Sequence, residues 1–143
     1  MRAIAIITWL LVLCPWMQPH AKAQELLWIP REEGQDFQDV HAAFRGTFSL
    51  PAEAMLDFHF SGASWYRVWI DGDMLGEGPD RYAPDYPVYQ KRSLQLSAGT
   101  HLIAVHLHSE GVDTRMLQGI PPFLMCRALE GGSPITVDWK CRE

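Results

Sequence analysis

Apolar and polar residues alternate singly along much of this chain. Between Ser64 and Asp71, the residues Tyr66, Val68 and Ile70 fall on one side, and Trp65, Arg67, Trp69 and Asp71 on the other. A period of two marks a half-buried strand. Asp71-Gly72 then supplies a tight turn, because glycine accepts positive φ at no steric cost. Met74-Leu75 begins a return strand, which Gly76, Gly78 and Pro79 end. The same reading predicts strands over 26–29, 43–50, 55–60, 64–71, 88–96, 101–108, 123–129 and 135–139. Gly, Pro, Ser and Asp cluster between them, at 51–53, 61–63, 97–99 and 131–132. Short strands with regular turn signals predict an all-β sandwich or barrel. The polar stretch 31–40 reads as a short helix or loop, and 112–122, which lacks periodicity, as a long connection.

The first 23 residues stand apart from this pattern. Arg2 is a minimal positive region, 3–14 is apolar, and Ala21-Lys22-Ala23 is an A-x-A cleavage signal. The run is short of the roughly 20 apolar residues that span a bilayer. The expectation is a signal peptide over 1–23, cleaved before Gln24, in a secreted or periplasmic protein. An uncleaved anchor, or lipidation at Cys14, are the less favoured readings.

The remaining residues, 24–143, fit one domain with a core of its own. Without Arg2 and Lys22 the chain holds 10 basic residues against 17 acidic ones, a formal charge of −7. Such a surface repels phosphate backbones, which argues against nucleic acid as a partner. No later apolar run is long enough for a membrane span, so no membrane association is expected after cleavage. Export permits a disulfide, and Cys126 and Cys141 flank a predicted hairpin with its turn at 131–134. A turn centred between Ser133 and Pro134 would pair the two cysteines, and one centred a residue earlier would not. A bridge and a buried free Cys126 therefore stay open as alternatives.

Candidate chemistry is sparse. His106 and His108 share one strand face with Leu102 and Ala104, and His59 lies on another strand. Imidazoles two residues apart can hold zinc or copper. The favoured reading is that they sit where the sandwich meets solvent or a neighbouring domain, with no metal and no cofactor. Asp71, Asp73, Glu77, Asp80 and Asp85 are close in sequence, but they fall at turns, where Asp serves local hydrogen bonding. No catalytic residue is assigned.

Aromatic residues give the one binding signal. Asp80, Arg81, Tyr82, Asp85 and Tyr86 lie in one loop and offer rings, carboxylates and a guanidinium, the groups that hold sugars. They are the candidate carbohydrate-binding residues, although loop pinning by the tyrosines is the favoured role. Trp65 and Trp69 share a strand face and are candidates for a domain interface, the alternative being the core.

Residues 66–81 resemble a "YxVWIDGxxLGxGPxR" hairpin of β-sandwich domains in large secreted glycosidases. The family resembled is the N-terminal, galactose-binding-like β-sandwich of bacterial α-L-rhamnosidase-type glycoside hydrolases. Phe44 to Pro51 resembles its "FRxxFxLP" strand. Leu96 to Val105 resembles its "LxxGxNxIAV" turn and strand, and Phe123 to Trp139 its closing hairpin. The chain departs from the pattern at two positions, Asp71 and His101, where Asn is usual. The resemblance covers about residues 42–139. It implies a jelly-roll-like antiparallel β-sandwich that is non-catalytic and packs beside a downstream catalytic (α/α) barrel. That barrel is not among the 143 residues, so the chain reads as a piece of a larger protein. The other readings are a stand-alone carbohydrate-binding module and a purely structural secreted sandwich.

Overall fold

The computed structural model describes residues 27–28, 38–81, 88–113 and 122–142. The segment 1–23, read from sequence as a signal peptide, and the loop residues Tyr82, Asp85 and Tyr86 lie outside the described residues. Among the described residues ten strands form two antiparallel sheets, the β-sandwich that the alternation predicts. The first sheet has the order β1 (Leu27–Trp28), β8 (Phe123–Glu130), β3 (Ala54–Gly62), β6 (Gln90–Leu96), and the two-residue β9 (Ser133–Pro134) also pairs with β8. The second has the order β10 (Asp138–Arg142), β2 (Val40–Leu50), β7 (Gly99–Ser109), β4 (Trp65–Ile70), β5 (Asp73–Gly78).

Burial follows parity. On β2 every even-numbered residue from Val40 to Leu50 is buried and every odd one exposed. On β4, Tyr66, Val68 and Ile70 point inward and Trp65 and Arg67 outward, with Trp69 half-buried, as the alternation requires. Between the sheets, Phe44, Val68, Ile103, Val105 and Leu107 of the second meet Leu56, Phe58, Phe60 and Leu124 of the first. Each fully buried side chain of this size contributes about 1.5–3 kcal/mol of transfer free energy. Gly78 is required by the core: a Cβ there would land on the Tyr66 hydroxyl.

The C-terminal end differs from expectation. The closing hairpin forms, but its turn is Gly131-Gly132, both with positive φ, and its return strand is only β9. The chain then crosses to the second sheet, where β10 pairs with β2 and sets Trp139 opposite Gly46. A Cβ at Gly46 would come within 2.9 Å of the Trp139 ring, so the bare backbone there makes room for the crossing. The crossing also decides between the two readings of the cysteines. Cys126 faces Phe60 in the first sheet, Cys141 faces Phe44 in the second, and they do not bond to each other. Burial pushes the Cys126 thiol up to about 12, so it behaves as a small apolar core residue.

Candidate functional site

The outer face of the second sheet gathers the polar and aromatic residues that the core does not use. Register builds it in rows across β2, β7 and β4. His41 lies opposite His108, which lies opposite Trp65. In the next row Ala43 lies opposite His106, then Arg67, then Glu77 of β5. In the third, Arg45, Ala104, Trp69 and Met74 follow in order.

An open groove of about 600 Å³ runs along the β4–β5 side of this face. Trp65, Arg67, His106 and His108 line it together with Glu77 and Asp80. The Arg67 Nε donates to Glu77 Oε2 at 3.1 Å, an exposed pair that orders the lining more than it stabilises. The Trp65 indole N–H donates to Glu110 at 2.7 Å, which fixes the ring while leaving it 54% exposed. Trp65, Met74 and Leu102 are exposed large apolar residues of the same face. Of the sugar-binding candidates, Asp80 lines the groove, and Arg81 is the exposed residue after it. Trp65, assigned from sequence to an interface, lines the same groove, whereas Trp69 lies one row away.

Sequence reasoning missed the contribution of Arg67 and Glu77. Counting outward from the Asp71-Gly72 turn sets Arg67 against Gly76, and only the register shift between Val68 and Trp69 brings it opposite Glu77. Sequence reasoning also missed Asp39 and His41, which no spacing in the chain links to β7.

At the His41 end of the face, three imidazoles and a carboxylate meet. His41 Nδ1 lies 3.0 Å from His106 Nε2, and His108 Nε2 lies 2.9 Å from Asp39 Oδ1. The His41 ring stacks on His108 with centroids 4.1 Å apart and on His106 at 5.1 Å. Burial and then the neighbouring His41 and His108 hold the His106 pKa below the usual 6.5. His59 takes no part in this cluster. It is on β3 of the other sheet, stacked on Tyr89 at 4.8 Å, and burial lowers its pKa as well.

At the far end of β7, His101 is buried and tied to the β4–β5 turn. Its Nδ1 meets Asp71 Oδ2 at 2.7 Å, and its Nε2 meets the Ser97 carbonyl at 2.9 Å. Both partners are acceptors, so the two contacts are satisfied together when both ring nitrogens carry hydrogen, which favours the imidazolium. The Asp71 hydrogen bond raises its pKa, against burial, and Ser97 adds to the rise. Burial pushes Asp71 upward, but hydrogen bonds from His101 and the Leu102 N–H outweigh it and leave it lowered. The two departures from the rhamnosidase-type pattern therefore contact each other, as a charged pair. Asp71 is fully committed to this structural role, and Asp73, exposed on β5, lies outside the groove lining.

No known family's sequence profile matches the chain, and no curated protein matches it. Its fold is similar to part of the crystal structure of a GH78 family rhamnosidase of Bacillus sp. GL1, with a TM-score of 0.72 and 24% sequence identity. The likeness covers 84% of this chain and 13% of that chain. At this identity the likeness is one of fold: an antiparallel β-sandwich built as one portion of a much longer polypeptide is built.

Proposed function

We propose that this chain is a non-catalytic, galactose-binding-like β-sandwich of an α-L-rhamnosidase-type glycoside hydrolase, exported to the periplasm or beyond, that packs beside a catalytic domain. The observation that carries this reading is the fold likeness to a segment amounting to 13% of a rhamnosidase chain. The exposed Trp65, Met74 and Leu102 supply an apolar face for a neighbouring domain. The carboxylates also support the reading. Asp71 is held by His101 and Glu77 by Arg67, whereas glycosidase chemistry needs a facing pair with one raised pKa. The purified chain should release no rhamnose from an aryl α-L-rhamnoside. It should bind a hydrophobic dye, and Trp69→Ser should weaken that binding without unfolding the domain. Turnover above a heat-killed control, lost in Asp80→Asn, would overturn the reading.

The groove favours a second reading, a stand-alone carbohydrate-binding module. An exposed Trp65 ring beside Arg67, Glu77 and Asp80 matches what a sugar requires, an apolar face flanked by hydrogen-bonding groups. Saturable binding of rhamnose or galactose, lost in Trp65→Ala and in Asp80→Ala, would establish that function in place of the first.

A further inference from the structure

We propose that Asp39, His41 and His108 form a binding site for a divalent transition metal of the zinc class at the rim of the groove. One ligand atom of each residue lies within 4.8 Å of the other two. His108 Nε2 is 2.9 Å and His41 Nε2 3.8 Å from the same Asp39 oxygen. Tetrahedral ligands at the usual zinc–nitrogen distance are about 3.4 Å apart. The atoms already bracket that separation. Two imidazoles and a carboxylate are a donor set that zinc takes, with a water in the fourth position.

The surroundings assign the atoms. His41 Nδ1 faces His106 Nε2 at 3.0 Å, and the tautomer in which His41 donates from Nδ1 leaves its Nε2 lone pair for the metal. His106 thus acts as the outer partner that fixes the tautomer of a ligand, a role known to govern metal sites. His108 Nε2 carries the hydrogen that now bonds Asp39. On metal binding the neutral ring shifts that hydrogen from Nε2 to Nδ1 through solvent, so Nε2 presents its lone pair to the metal and no net proton is released. The parallel stack of His41 on His108 must fan open to aim both lone pairs at one point. The His41 side chain is 56% exposed and has the space to turn. Asp39 is held at φ 54° in the turn before β2, so the metal would clip that turn to the centre of the sheet.

The test uses the whole chain, purified with a tag free of histidine and stripped with a chelator. Titration with Zn²⁺ by calorimetry should give one equivalent bound. Co²⁺ should develop visible bands and broaden the ring resonances of His41 and His108 but not of His59. His108→Ala and His41→Gln should each weaken Zn²⁺ binding by at least about tenfold, and His106→Gln by a smaller factor than either. His59→Ala should leave it unchanged. His41→Gln keeps the result interpretable if His108→Ala disturbs folding, because His41 is exposed. Absence of binding overturns the proposal, as does binding that survives both His41→Gln and His108→Ala. Neither result bears on rhamnosidase-type packing, which the dye and hydrolysis measurements test separately.

Discussion

Strand β7 is bracketed by two aspartates in the left-handed region, Asp39 at φ 54° and Asp71 at φ 52°, and each reaches a histidine of that strand. The two ends differ in everything else. His101 points inward, meets only acceptors and is held as a cation. His106 and His108 point outward among other imidazoles, and the surroundings of His106 resist its charging. Odd and even positions on one strand therefore give one residue type opposite electrostatic roles. What decides the role is the set of neighbours that register supplies: a carboxylate and a carbonyl around His101, other imidazoles around His106.

The largest effect should come from breaking the parity itself. Leu107→Ala, on the inner face, removes a fully buried side chain and should cost about 2–5 kcal/mol. Leu102→Ala, on the outer face of the same strand, should cost less than about 0.5 kcal/mol. Urea denaturation of both variants checks this, and equal costs would mean that the outer face is not a surface.

The next effect sharpens the contrast between the histidines. Asp71→Ala strands a buried imidazolium and the Leu102 N–H, and should cost about 2 kcal/mol near pH 5.5. The cost should depend on pH. His101 is raised above 6.5, so its contribution is complete below that value and fades as pH climbs through the folded-state pKa. Asp71 is lowered below 3.8, so its contribution is complete above that value and fades as pH falls through the folded-state pKa. The stability difference between wild type and Asp71→Ala should therefore peak between pH 3.8 and 6.5 and shrink on both sides. A difference that stays flat from pH 3 to about 8.5 would refute the ion pair.

The smallest effect is at the outer end. His106→Ala should change stability by less than about 0.5 kcal/mol in metal-free buffer, since it removes a surface contact between imidazoles. In the same buffer, proton NMR should place the His101 and His106 midpoints on opposite sides of 6.5.

Much of the fold was legible in the alternation. Tyr66, Val68 and Ile70 share one face by their spacing alone, because a strand leaves only two faces to choose between, and the structure buries that face. The end of the chain was not legible. A Gly131-Gly132 turn announces a reversal, but nothing local says that the chain will leave the sheet two residues later. The outer cluster was half legible: the spacing of His106 and His108 put them on one face. Asp39 and His41 join them only through the pairing of β2 with β7, some 65 residues apart in sequence. The meeting of Asp71 and His101 was hidden for the same reason, though both stood out as departures from one pattern.

Of the links between consecutive described strands, only β4–β5 and β8–β9 stay within a sheet; every other link passes from one sheet to the other. Neither sheet can therefore be completed from a continuous half of the polypeptide. Cleaving the chain between β5 and β6 would give two fragments, each holding strands of both layers and neither able to close one. They should be unstructured alone and should restore the sandwich on mixing, so the domain is a single cooperative unit whose assembly waits on contacts far apart in sequence.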